Sequence, residues 1–220
     1  TMMTYNEQNA RYIGRTARYN FMTDYIKIFY NEKKLSYTKY PSQLCEYLFK
    51  RFSMKQGDKL LDVGCGRGDF TRGFKDLGLE VVGIDREKGN SELLKGIGVR
   101  LGDIENDPFP FSDEIFDFVF SKSVIEHLRA PDNFIKEIYR VLKPGGKIII
   151  MTPDWHNQRL IFYDDYSHIH PYTIISLKGL LNAYGFRGVI AEKFYQLPVL
   201  WKYPWLKIFS KCLQIFGPPK

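Results

Sequence analysis

The chain has 220 residues, 44% of them hydrophobic and 26% charged, with a formal net charge of +7. That length and balance are those of a soluble globular protein with one domain, or one domain with an appendage. The cysteines (Cys45, Cys65 and Cys212) are odd in number, widely spaced and free of any Cys-x-x-Cys, which argues against a disulfide framework and a cysteine-based zinc site. No stretch approaches the ~18–20 apolar residues of a membrane span, and the polar N-terminus carries no secretory signal, so a cytoplasmic location is expected. The positive charge fits an anionic partner. Its Lys and Arg are scattered rather than gathered into the dense run of a nucleic-acid arm, which argues against nucleic acid.

Residues 1–57 read as a helical, substrate-side extension. They are Tyr-rich, with helical spacing at Tyr25, Ile26, Phe29 and Tyr30, and Pro41-Ser42 opens a helix with Leu44, Leu48 and Phe52 on one face. A core over 58–196 follows. "KLLDVG" predicts a buried strand, "DFTRGFKDLG" a helix ending at Gly78, and "EVVGID" a second strand. "NSELLKGIG" is a short helix capped by Asn90 or Ser91, "VRLGD" a third strand and "FDFVFS" a fourth. "DNFIKEIYRVLKPGG" reads as a helix with a Pro-Gly-Gly stop, "KIIIMTP" as a fifth strand, "TIISLKGLLNAYGF" as a helix and "GVIAEKFY" as a sixth strand. Such alternation predicts an α/β, Rossmann-like doubly wound fold, with a mostly parallel sheet of six or seven strands and helices on both faces. In that fold ligands bind outside the carboxyl ends of the strands, so Asp62, Asp85, Asp103, Ser121 and Asp154 are expected along one rim. The tail, 197–220, places Trp205, Ile208, Phe209, Cys212, Leu213 and Phe216 on one helical face with Lys207 and Lys211 at its edges. It reads as a helix packed on the domain or on a second subunit, or as an interfacial helix touching a membrane.

Within "LLDVGCGRGDF", Gly64, Gly66 and Gly68 permit a sharp turn and a close backbone approach. A phosphate loop would end in Gly-Lys-Ser/Thr, which is missing. A nicotinamide fingerprint needs Gly where Asp69 stands. Asp62 beside the loop would repel a pyrophosphate and welcome a cation. Asp85 lies about 20 residues past the glycines, where an acid accepts from ribose hydroxyls. A bare strand-to-helix turn is the alternative reading of the glycines.

These motifs, in series with "VVGID", "GDIE", "FDFVFSKSVIEHL" and "VLKPGGKIIIMTP" over residues 58–153, resemble the class I S-adenosylmethionine-dependent methyltransferases (methyltransferase type 11-like). The resemblance implies S-adenosylmethionine as cofactor and S-adenosylhomocysteine as product. It places Asp62, Gly64, Cys65 and Gly66 at the methionine part, Asp85 and Arg86 at the ribose, Asp103 and Ile104 at the adenine, and Ser121 where the pocket closes. Methyl transfer is an in-line displacement that relies on positioning, with a base where the acceptor must lose a proton. The candidates are Glu126 and His127 in "SVIEHL" and His168 and His170 in "YSHIHPYT", with His127, His168 and His170 taken as the catalytic set. Some RNA and quinone-pathway relatives resemble this region but carry an E-x-x-E-H metal motif. Here Ser123 replaces its first Glu, so no metal is expected.

The insert "DWHNQRLIFYDDYSHIHPYT", with Trp155, Tyr163 and Tyr166, is expected to line an acceptor pocket. The leading expectation is methyl transfer to O or N of a small or lipid-linked metabolite of glycan- or quinone-pathway type, by a monomer or homodimer, with peripheral membrane contact through the tail as a further expectation. The alternatives are an RNA methyltransferase and a non-catalytic, cofactor-binding partner subunit.

Overall fold

The computed structural model describes residues 38–86, 91–203 and 205–206. The helical spacing at Tyr25–Tyr30, Asn90 as a cap and the tail beyond residue 206 lie outside the described residues.

Helix α1 (Tyr40–Arg51) starts on Pro41, which fits a first helical turn because its missing N–H has no partner to lose there, and buries Leu44, Cys45 and Leu48. Strand β1 (Lys59–Val63) leads through the glycine loop into α2 (Asp69–Asp76), whose cap is Gly68 in the left-handed region at φ 89°. Strand β2 (Glu80–Asp85) is followed by a 3₁₀ turn, Glu92–Leu94, where the Ser91 side chain accepts from the Leu93 N–H. Next come β3 (Gly98–Leu101), β4 (Phe116–Lys122) and a second 3₁₀ turn, Ile125–His127. Helix α3 (Asp132–Val141) passes directly into β5 (Leu142–Met151). The remainder holds α4 (Trp155–Gln158), a 3₁₀ turn at Phe162–Asp164, α5 (Ile174–Ala183) closed by a Thr173–Ser176 capping box, and α6 (Pro198–Lys202).

The sheet has the order β3-β2-β1-β4-β5 and every pairing is parallel. Alternating side chains divide it into two faces. Leu60, Phe118 and Phe120 pack with Leu44, Leu48 and Phe74 from α1 and α2. Leu61, Val63 and Val119 pack with Ile135 and Ile138 of α3 and Leu181 of α5. The chain leaves β1 for β2 on one side and returns to β4 on the other, so the switch point of the sheet lies between β1 and β4, and a ligand crevice is expected above it.

Two expectations are corrected. The sheet has five strands, not six or seven. The "GVIAEKFY" run is irregular: Ile190 is 82% exposed, and no backbone ladder holds this segment among the described residues. Its composition suits a strand, but the run does not pair with the open edge that β5 leaves at the end of the sheet. The helix before Pro-Gly-Gly stops at Val141, not at the glycines. Leu142 already pairs with Phe116, residues 143–146 form an irregularity, and pairing resumes at Phe118 and Lys147. Asp117 fastens this irregularity, accepting from Lys143 Nζ at 2.7 Å and from the Lys59 N–H at 2.9 Å.

Candidate functional site

The glycine loop sits on the β1 side of the switch point. Gly64 has φ 76°, and a Cβ there would come within 2.3 Å of Val124 Cγ2, so glycine is required both by backbone conformation and by close approach. The Gly66 N–H donates to Asp85 Oδ2 at 2.8 Å, which ties the loop to the end of β2. Arg67 meets Asp69 with two bonds of 2.8 and 2.9 Å, so the loop's guanidinium is matched by a carboxylate of the same turn.

Beneath the loop Asp62 is 3% exposed and accepts from Thr71 Oγ1 at 2.6 Å. Burial pushes its carboxyl up to about 7 against the opposing help of the Thr71 hydroxyl, and Asp85 adds a small push upward. Asp103 lies two residues past β3 and closes its own turn, accepting from the Glu105 N–H at 3.0 Å, Asn106 Nδ2 at 3.1 Å and Arg86 at 3.1 Å. Burial works to raise its carboxyl, but these bonds and the Arg86 charge outweigh that and hold it below the usual range. Ile104 is buried. Cys65 is buried too, with its sulfur against Gly83 of β2, and burial raises its thiol. The buried Ser121 hydroxyl donates to the Val63 carbonyl at 2.9 Å, joining the ends of β4 and β1.

Across the crevice, Glu126 is completely buried, and its backbone carbonyl accepts from the N–H groups of Ile169 and His170 at 2.8 and 3.0 Å. These two bonds hang the insert on the 3₁₀ turn and bring His168 beside His127, with ring centroids 4.7 Å apart. The tautomers follow from the donors. Ser167 Oγ donates to Asp165 Oδ1 at 2.6 Å and therefore accepts from His127 Nδ1 at 2.9 Å. His168 Nδ1 donates to the Phe162 carbonyl at 2.6 Å. In both rings Nδ1 is thus the protonated nitrogen that faces its partner. Desolvation, with the nearby His168, lowers His127 below the ordinary imidazole range, while Asp165 and Ser167 oppose the shift. His170 is turned elsewhere, with Nδ1 donating to the Leu128 carbonyl at 2.8 Å.

Glu126 Oε2 accepts from Thr152 at 3.0 Å, whereas buried Oε1 has no partner. Burial raises this carboxyl above the usual carboxylate range, opposed by hydrogen bonds and by the charges of His168 and Lys122. One donor atom each from Glu126, His127 and His168 lie within 4.8 Å of one another. Two imidazoles and a carboxylate are a donor set open to a divalent transition metal.

Of the three histidines expected as the catalytic set, the structure brings His127 and His168 together and leaves His170 apart. The sequence reading did not find Thr71 or the Asp165–Ser167 pair. The "DYS" spacing, an acid two residues before a serine, is the local turn signal that could have exposed the latter.

The donors on the β1 side fit an adenosine cofactor with a cationic amino-acid end. Two carboxylates and backbone N–H groups face the loop region, and its arginine is neutralised by Asp69. A methyltransferase-domain family model matches residues 37–191. The demethylmenaquinone methyltransferase of Lactobacillus johnsonii is 31% identical over 183 residues, 66% of this chain and 74% of that protein. A SAM-dependent methyltransferase from Archaeoglobus fulgidus superposes with a TM-score of 0.60 at 20% identity, over 87% of this chain and 93% of that one. The phosphoethanolamine N-methyltransferase 2 of Haemonchus contortus, solved with S-adenosyl-L-methionine, superposes with a TM-score of 0.57 at 23% identity, over 78% of this chain and 44% of that one. The chain spans less than half the length of several other curated methyltransferase relatives.

Proposed function

The chain belongs to the S-adenosylmethionine-dependent methyltransferases of class I, and from that premise we propose that it methylates an oxygen or nitrogen of a small or lipid-linked metabolite, of the kind found in glycan or quinone pathways. The observation that carries this reading is the pairing of His127 with His168 beside the switch point, each ring oriented by a hydrogen bond at Nδ1.

Asp62, Gly64, Gly66, Asp85, Asp103 and Ile104 are the residues that would hold the cofactor. When bound, it supplies an electrophilic methyl group on a sulfonium. The protein's own work is positional: it fixes the acceptor atom in line and removes its proton where one must leave. His127 suits the second task. Asp165 and Ser167 orient its ring through Nδ1, and desolvation keeps the imidazole neutral at pH 7, so Nε2 accepts the proton. His168, oriented by the Phe162 carbonyl, stands next to it as a contact for the substrate. An apolar acceptor is supported by the exposed side chains of the insert, Leu160 (69%) and Tyr163 (58%).

The described start of the tail packs on the domain, with Leu200 buried and Trp201 stacked on Phe194 at 5.3 Å, while the more than half exposed Leu197 and Val199 are the side chains that a peripheral membrane contact would use. No helix among the described residues is long and apolar enough to cross a membrane.

The test is transfer of a labelled methyl group to separate pools of phenols, amines, lipid extract and RNA. Label in the small-molecule or lipid pool, lost in His127→Ala, is the expected result. Label in RNA alone, or in none of the pools while the cofactor binds, contradicts the proposal. Liposome co-sedimentation of the full chain against one ending at Leu197 tests the tail, and equal sedimentation counts against membrane contact.

A further inference from the structure

The last residue of β4 is a lysine. Asp62 of β1 pairs with Phe120 of β4, so Lys122, two residues further on, stands level with Gly64 at the switch point. It shares the face of Phe118 and Phe120, which leads its side chain over the amino end of α2. There Nζ lies 5.5 Å above the Phe70 ring, and its one hydrogen bond among the described residues is a long 3.4 Å contact with Ser123 Oγ.

The other cations of this rim are committed. Arg67 pairs with Asp69, Arg86 with Asp103 and Glu105, and Arg72 donates to the carbonyls of Leu93 and Lys95. Lys122 is part-buried and makes no ion pair with a carboxylate among the described residues, although Glu126 attracts it at longer range. An ammonium withdrawn from water calls for an anion. The amino-acid end of the cofactor carries one charge of each sign, and among the described residues the β1 side offers its ammonium Asp62 but offers its carboxylate no uncommitted cation.

We propose that the Lys122 ammonium binds the carboxylate of the cofactor's amino-acid end, so that Asp62 and Lys122 clamp the zwitterion from β1 and β4. This rests on the cofactor reading of the crevice.

The experiment is calorimetric titration of the full chain with S-adenosylhomocysteine and with its decarboxylated analogue. Wild type is expected to bind the carboxylated ligand about ten- to a hundred-fold more tightly, the range of a charge-assisted contact. Lys122→Met should abolish that preference while keeping the affinity for the decarboxylated ligand, which also reports an intact site. Lys122→Arg should retain most of the preference. If Lys122→Met does not fold, Lys122→Gln repeats the comparison. An undiminished preference in the Met or Gln variant overturns the assignment, as does a wild type that binds both ligands equally. A wild type that binds neither ligand overturns the cofactor reading as well.

Discussion

The two sides of the crevice are built by different means. On the β1 side the parts proposed to hold the cofactor are short-range: a loop with left-handed glycines, and acids at or within two residues of the end of the strand that positions them. On the acceptor side the parts come from far apart in sequence. His127 is oriented by Ser167, forty residues away, and the insert carrying His168 is held by the carbonyl of Glu126. The first construction follows from backbone sterics within one βα unit. The second exists only after the chain has folded. Cofactor binding and acceptor chemistry should therefore fail separately when each side is damaged.

The largest separation is expected from His127→Ala. Loss of the proposed general base should lower the rate of transfer by about 10²- to 10⁴-fold, with cofactor affinity preserved. His170→Ala, whose ring is tied to the Leu128 carbonyl, should cost far less in rate. Equal losses in the two variants, measured by release of the demethylated cofactor, would erase the distinction between the paired histidines and the third.

Damage on the glycine side should reach stability and cofactor together. Gly64→Ala forces a positive φ on a side chain and drives its Cβ into Val124, at about 2 kcal/mol or more. Gly66→Ala meets only the φ penalty, because nothing lies within 4 Å of its Cβ, and should cost about 1 kcal/mol. Thermal unfolding of the two variants checks the order. A Gly66 variant less stable than the Gly64 variant would refute it.

Asp62 makes the glycine side sensitive to pH. Its folded-state carboxyl titrates near 7, above the ordinary value of 3.8. The folded protein holds this proton more tightly, so the stability it contributes is full below about 4 and is lost as pH rises through 7. An ammonium ligand requires the ionised form, so affinity for the cofactor should rise by up to about tenfold per pH unit below 7 and level off above it. Asp62→Asn should flatten the profile. A profile unchanged in that variant assigns the titration elsewhere.

The smallest expected effect lies under the acceptor side. Glu126 is buried with an unpartnered Oε1 and a raised pKa, so its contribution to stability is also lost as pH rises. Glu126→Gln should gain about 1 kcal/mol at pH 8 relative to wild type, and less at pH 5. Denaturant unfolding at the two pH values measures this, and a variant destabilised more at pH 8 than at pH 5 would reverse the sign.

The difference between the sides also decides what could be read from the chain alone. Gly64, Asp62 and Asp85 are legible because a strand pattern, a glycine spacing and an acid at the strand end are all local. So is Ser91 as a cap. Thr71 was missed because its burial comes from α2 packing over β1, and Ser121 reads as a rim residue although its hydroxyl joins two strands. The "GVIAEKFY" run has strand-like residues yet does not join the open edge of β5, which no local pattern reveals. The pairing of His127 with His168, and the separation of His170 from both, depend on hydrogen bonds between distant backbone groups.

The most direct test of this two-sided account is one titration of S-adenosylhomocysteine into Asp85→Ala and His127→Ala. Removing Asp85, the acid proposed to accept from the ribose hydroxyls, should weaken binding by roughly ten- to a hundred-fold. Removing the imidazole should leave affinity as in wild type. An Asp85 variant that binds like wild type, or a His127 variant that loses the ligand as Asp85→Ala does, would contradict it.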